Sequence, residues 1–285
     1  VIRAPSGACF RAIPARTQRS RREAGTIPDR PARPRTGNAS VGTSGLAYRD
    51  ARVSVAGIDA RTKFELTKDE IVLPDIRATA LGGSFDGEAS LRKDFSRLHV
   101  DGRVRGVALN DVTRVVSRPT LAWSGAASGP VRIDGTLDHG RMRDLMVQAT
   151  LDIQRAAGGI PIEGNVDVLF DQRANVVRLG SSTLSTDSTQ IRASGTLGDT
   201  LRVSVHTDNL DDILPALALA GPDAPKELPV KLARGGSATT NAVVTGPLND
   251  PAVAAKVSAD NIVWEGRTVQ HASADVTVSA HELTA

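Results

Sequence analysis

The sequence predicts an all-β chain, an elongated repetitive curved sheet (a solenoid-like trough or β-taco) carrying one or two short helices. Three observations predict it. Between Gly159 and Leu214, Ile160, Ile162, Val166, Val168 and Phe170 fall on one parity, while Glu163, Asn165, Asp167 and Asp171 fall on the other. Successive strand side chains point to opposite faces, so this alternation describes a sheet with one apolar and one wet face. A pattern of the form apolar-x-apolar-x-Gly-x-apolar also recurs along the chain. Finally, aromatic residues are only 3% of the chain, and the small and branched aliphatics that dominate suit a thin sheet better than a deep centre.

At 285 residues the chain can bury a sizeable core. Its net charge of +3 hides an asymmetry: residues 1–36 hold nine arginines against Glu23 and Asp29, leaving 26 basic and 30 acidic residues in the remainder. The sequence pI of about 9.3 therefore belongs to the tail and points to no nucleic-acid-binding fold. Residues 1–44, rich in Arg, Pro, Ser, Gly and Thr, read as a disordered basic leader or a spurious N-terminus. The single cysteine, Cys9, lies there, so no disulfide forms within the chain. No apolar run approaches the roughly 20 residues that cross a bilayer, and no secretory h-region follows the first basic residues. The chain reads as a fragment of something longer.

From Gly45 the alternation begins, with short strands expected at Tyr48–Ile58, Arg61–Thr67 and Glu70–Leu73. The glycine pattern appears loosely at Gly83–Ala89, more closely at Leu98–Val104, Val131–Leu137, Ile160–Val166 and Ile191–Leu197, and last at Ala242–Leu248. Glycines 102, 135, 164 and 195 stand 33, 29 and 31 residues apart. A period near 30 marks a repeat architecture, and a glycine inside each strand predicts a bend at the same level in every unit. Asn110–Ser117, with a capping residue at its start and Pro119 soon after its end, fits one or two helical turns. Asp208–Ala220 has the same form, with acidic residues in its first turn and Gly221 after its last. The resulting division is a β-repeat region over 45–220, a Pro-rich connector over 221–235, and further repeats over 236–285.

No nucleophile elbow, phosphate loop, zinc-protease helix or paired-cysteine motif is present. His99, His139, His206, His271 and His281 are far apart on or beside strands, without metal-ligand spacing. Asp208, Asp211 and Asp212 are explained by the charge preference of a helix N-terminus. No enzymatic activity, cofactor or metal is therefore expected. A polysaccharide lyase would need carboxylates or arginines at one level of neighbouring repeats, whereas the outward positions mix Arg, Asp, Glu, Ser and Thr. What recurs is apolar: Val131, Ile133 and Leu137; Ile160, Ile162, Val166, Val168 and Phe170; Ile191, Ala193 and Leu197; Leu201, Val203 and Val205. These residues form either a closed core or the lining of an open trough that holds acyl chains. The missing second layer favours the trough.

The blocks IPIEGNVDV, NVVRLGSSTLST, QIRASGTLG and LRVSVHTDNLDDILPAL within Gly159–Leu217 resemble the translocation and assembly module TamB family, related to AsmA-like proteins. The closing segment GPLNDPAVAAKVSADNIVWEGRTVQHASADVTVSA and the element Leu98–Leu109 with its following helix are similar to elements of the same family. The resemblance covers roughly residues 45–285. It implies a β-taco with a hydrophobic groove that spans the periplasm of a diderm bacterium, with the full-length protein anchored in the inner membrane. It implies a non-enzymatic role in moving phospholipid between the membranes, or in supporting outer-membrane protein assembly. The implied partners are phospholipid acyl chains and, through parts outside this sequence, an outer-membrane barrel protein. The competing expectation is a structural or adhesin-like β-solenoid with a closed core.

Overall fold

The computed structural model describes residues 38–49, 54–115, 123–138, 141–214, 227–247, 250–278 and 283–284. It is nearly all strand: one large antiparallel sheet of 15 strands, not closed, with one short α-helix. The strands are β1 (Asn38–Arg49), β2 (Ser54–Leu66), β3 (Glu70–Ala80), β4 (Gly83–Arg92) and β5 (Arg97–Ala108), followed by α1 (Leu109–Val115). Then come β6 (Trp123–Asp138), β7 (Arg141–Arg155), the two-residue β8 (Ile160–Pro161), β9 (Glu163–Asp171), β10 (Val176–Ser185), β11 (Thr189–Leu197) and β12 (Thr200–Thr207). A 3₁₀ turn at Leu210–Ile213 precedes β13 (Val230–Thr245), β14 (Ala252–Trp264), β15 (Arg267–Val278) and β16 (Leu283–Thr284).

Strand order in the sheet follows chain order throughout; only β8 leaves the path, pairing in parallel with β6. The architecture is thus a meander. A solenoid, whose coils bring strands together a full turn apart in sequence, is not its topology. Tight turns make the meander possible. At Leu81-Gly82 and Glu265-Gly266 both residues have positive φ, the geometry of a type I′ turn, whose twist matches the flanking strands.

Several expected boundaries move. The sheet begins at Asn38 rather than Gly45, and Tyr48–Ile58 is divided between β1 and β2, with Arg49 opposite Ser54. The last repeats resume at Val230 rather than Gly236. The expected helix at 110–117 is α1, and that at 208–220 begins as the 3₁₀ turn. Residues 215–220 lie outside the described residues, as do His139, His281 and residues 1–37. Among the described residues, no helix is long and apolar enough to cross a membrane.

The recurring glycines do not share one level. Gly102 and Gly135 lie on neighbouring strands, β5 and β6, because α1 and its flanks occupy the intervening chain. Only the intervals from Gly135 to Gly164 to Gly195 step by a hairpin, through β6, β9 and β11. In the ladder Gly102 stands opposite Gly87 and Val131, while Gly135 stands opposite Leu98, four residues along β5 from Gly102. At Gly87 and Gly102 the cause is close packing: an added Cβ would come within 2.7 and 2.5 Å of the Phe85 ring. One register shift, Asp134/Thr136, spans Gly135 and another, Leu179/Ser182, borders Gly195, while others lie away from the recurring glycines, at Thr43/Leu46, Leu73/Ile76, Val104/Val107 and Leu232/Ser237. Gly45, Asp75, Gly106 and Gly235 supply a positive φ within these last four. Asp75 is held there by Lys63 Nζ at 2.5 Å; that hydrogen bond, and then the ammonium charge, keep its carboxyl below the ordinary carboxylate range.

This packing predicts that Gly102→Val destabilises the sheet by about 1–3 kcal/mol, as overpacking does. In the Phe85→Ala background the same change should cost clearly less, a coupling that a urea-denaturation double-mutant cycle would measure.

Candidate functional site

The register aligns residues of one parity into rows that run across the strands. One row passes from Ile76 through Gly87, Gly102, Val131, Ala149, Val168, Leu179, Gly195, Leu201 and Val244 to Val253 and Val278. It crosses from β3 to β15 without a charged or polar side chain. A second runs Leu73, Ala89, Val100, Ile133, Val147, Phe170, Val177 and Leu197. A third continues from Val107 through Ala127, Ile153, Gly164, Leu184, Ile191, Val205 and Thr240 to Val257 and Ala274.

Most of the candidate residues fall on these rows: Ile133, Phe170 and Leu197 on one, Val131, Val168 and Leu201 on another, Ile191 and Val205 on the third. Ala193 pairs with Val203 on the same face, and Val166 pairs with Leu151. Leu137 stands opposite Met142, on the same parity of β6 as Val131 and Ile133. Leu73, Ala89, Val100, Ala149, Leu179, Val244 and Val253 also stand on the rows and were not among the candidates. Ala89, Val100 and Val244 lie inside the recurring glycine pattern, and the others are marked in the sequence by alternation alone.

These rows are half-buried rather than sealed. Of the candidates, Val131, Ile133, Val166, Val168, Phe170, Ile191, Ala193, Leu197, Val203 and Val205 are intermediate in exposure, while Leu201 is buried. Among the described residues every substantial strand–strand contact is with a ladder neighbour, so no second sheet covers the apolar face.

One end of that face is closed. Ile160 and Ile162 do not continue an alternating strand: Ile160 pairs in parallel with Trp123, and Ile162 turns into a cluster with Ala127 and Ile153. Ile162 is 1% exposed, so it is a core residue and not part of an accessible lining. Leu109, Trp123, Leu151, Val166 and Leu184 pack around the cluster. Trp123 Nε1 donates to the Asp212 carbonyl at 3.1 Å, which ties the 3₁₀ turn to β6.

Asp212 itself is buried, and its role differs from the helix-terminal one expected. Its carboxylate accepts from the Thr186 hydroxyl, from Thr189 Oγ1 at 3.1 Å and from Asn209 Nδ2 at 3.3 Å. Asp211 keeps to the cap, where its N–H donates to Asn209 Oδ1 at 3.1 Å. Three hydroxyl and amide donors therefore satisfy a buried carboxylate without a cation, fastening the turn to the β10–β11 hairpin.

The opposite face carries cross-strand ion pairs. Arg132 pairs with Asp101 at 2.6 Å and Arg105 with Asp86, while Arg155, at the end of β7 and on the parity of Ile153, pairs with both Glu163 and Asp187. His99 bonds Asp134 at 2.8 Å and His271 bonds Asp260 at 2.7 Å, each with its ladder neighbour. His206 lies 3.3 Å from Thr239. These pairs stabilise a sheet face; among the described residues no group of three His, Cys, Asp or Glu could hold a metal ion. The same face bears a concavity of about 760 Å³ reaching from β10 to β15. Its walls include Arg192, Ser194, Arg202, Ser204 and Lys256, with Ala193, Val203, Ala242 and Ala255 between them. Ile191, Gly195, Leu201 and Val205 are not among its walls. In a strand, residues i−1 and i+1 share a face that i does not, so the hollow opens on the polar face over the backbone of the central row.

No family model matches the chain, and searches of curated proteins and of solved structures returned no match.

The contrast between the sealed end and the open rows sets an expected outcome. Ile162→Ala should lower stability by about 2–5 kcal/mol, as truncation of a fully buried aliphatic does, whereas Val203→Ala should cost under about 1 kcal/mol. Thermal or urea unfolding of both variants checks this.

Proposed function

We propose that this chain is a non-enzymatic carrier segment whose apolar sheet face takes lipid acyl chains. It would serve phospholipid movement between inner and outer membranes, with support of outer-membrane protein assembly as the related role that the TamB resemblance suggests. The observation that carries the reading is the unbroken apolar row from Ile76 to Val278. An acyl chain lying on such a row gains about 0.8 kcal/mol for each methylene it removes from water. Because neighbouring strands offer nearly equal small and branched side chains, movement from one to the next meets little variation in energy.

Two further features support this. The rows are half-buried yet have no covering layer, and an uncovered apolar face of this extent marks an interaction surface. A sheet wider than about ten strands curls or splits rather than staying flat, so curling toward the apolar side would deepen the track. The support comes from the rows and not from a cavity, since the hollow of about 760 Å³ lies on the opposite face. The cell-envelope location, the inner-membrane anchor and a barrel-protein partner rest on the resemblance.

Ile133→Asp and Ala193→Asp place a carboxylate on the rows at half-exposed positions, and both should abolish co-purification of phospholipid in native mass spectrometry while leaving the circular dichroism of the sheet intact. Retention of lipid by both variants, or a lipid-free wild-type chain from a diderm host, would count against the acyl-chain track. Ile162→Asp is unsuitable for this test, because a carboxylate there disrupts folding itself.

A further inference from the structure

The concavity on the polar face has a composition that the acyl-chain reading leaves unexplained. Arg192 faces Ser204 across the β11–β12 ladder and Ser194 faces Arg202, so the two arginines stand on a diagonal with serines on the other. Diagonal neighbours on adjacent strands are about 7–8 Å apart, which lets two guanidinium groups converge on one anion. Among the described residues neither Arg192 nor Arg202 has a carboxylate or hydrogen-bond partner, in contrast to Arg105 and Arg132 on the same face. Other guanidinium groups are crowded together elsewhere: Arg61 stands opposite Arg77. There, however, Asp59, Asp75 and Asp86 line the same hollows.

The remaining walls mix hydroxyl-, amide- and charge-bearing side chains with small apolar ones such as Ala242, Val243, Ala254 and Val276. Thr183 stands opposite Arg192, Asn241 opposite Ser204, and Lys256 opposite both Asn241 and Asp275. The Lys256–Asp275 pair is open to solvent at 3.7 Å and supplies a donor and an acceptor side by side. The volume of about 760 Å³ lies within the range of small-ligand sites. From β11 to β15 the hollow spans four strand spacings, about 19 Å. Arginine forks recognise planar or tetrahedral oxyanions, and a string of Ser, Asn, Lys and Asp suits vicinal hydroxyl groups. No aromatic ring stands in the walls, so the directional contacts come from the polar side chains, with Ala and Val between them.

We infer that this hollow binds a phosphorylated carbohydrate, its phosphate between Arg192 and Arg202 and its hydroxyl groups toward Asn241, Lys256 and Asp275. The inference is independent of the acyl-chain track, which occupies the other face.

Calorimetric titration of the full chain with glucose 6-phosphate, inorganic phosphate and glucose tests it. Glucose 6-phosphate should bind more than tenfold tighter than either of the other two. The double variant Arg192→Gln/Arg202→Gln should lose at least tenfold in affinity with an unchanged melting temperature, and Arg192→Lys/Arg202→Lys should lose less. Lys256→Gln/Asp275→Asn should narrow the preference for glucose 6-phosphate over inorganic phosphate. Equal binding of glucose 6-phosphate and phosphate would reduce the hollow to a simple anion site and overturn the inference. So would no binding of glucose 6-phosphate, or affinity unchanged in the Gln variant. Arginine-dependent binding of phosphatidylglycerol vesicles without binding of glucose 6-phosphate would assign the face to a membrane surface instead. None of these outcomes alters lipid retention by the apolar rows, so the two readings fail separately.

Discussion

Antiparallel register is the constraint on which everything else in this protein depends. Side chains alternate with a period of two, so a slip of one residue between any two strands would send one strand's apolar set to the wet face. Across the ladders from β3 to β15 the parity holds, even though several ladders contain shifts. Several of these shifts absorb the extra backbone at a residue with positive φ, such as Gly106 or Gly235. The bulges therefore bend or twist the sheet without exchanging its faces, and two chemically distinct surfaces run its width.

Those surfaces solve different problems. The apolar one collects small and branched residues, and only eight hydrophobic residues of the described chain are buried, four of them alanines. Burial on this scale cannot by itself order a sheet so wide; the backbone ladder and the cross-strand pairs of the polar face share the task. At one end the problem is solved in the ordinary way. Ile162, Ile153 and Ala127 pack beneath Trp123, and the Asp212 network pins the 3₁₀ turn against them. That end is a small conventional core attached to a surface that has none.

Much of this was legible in the sequence because alternation is a local signal. Strand class, the apolar parity of Val131, Val168, Leu201 and Val203, and both short helical elements were read from spacing alone. The meander was not, since a repeat near 30 residues describes two antiparallel strands and one solenoid coil equally well. Glycine was ambiguous for a related reason: its absence of a side chain signals close approach, as beneath Phe85 at Gly87 and Gly102, as readily as the ladder irregularity found at Gly135. Ile160 and Ile162 kept the alternation in sequence yet left the strand, because Pro161 and the parallel contact with Trp123 divert the chain. The Arg192–Arg202 diagonal joins strands whose offset no spacing rule supplies.

Strand order that follows chain order has a consequence for how such a molecule comes together and changes length. Apart from the longer β5–β6 and β12–β13 connections, the hairpins close over short loops, so their contacts carry little entropic cost and can form as soon as their two strands exist. The exception is the clasp between Trp123 and Asp212, 89 residues apart, which must wait for the intervening hairpins. Away from that clasp, a duplicated or deleted hairpin joins its neighbours through the same kind of ladder and restores the parity beyond it. Growth by whole hairpins is therefore a change of reach that leaves the chemistry of both faces in phase.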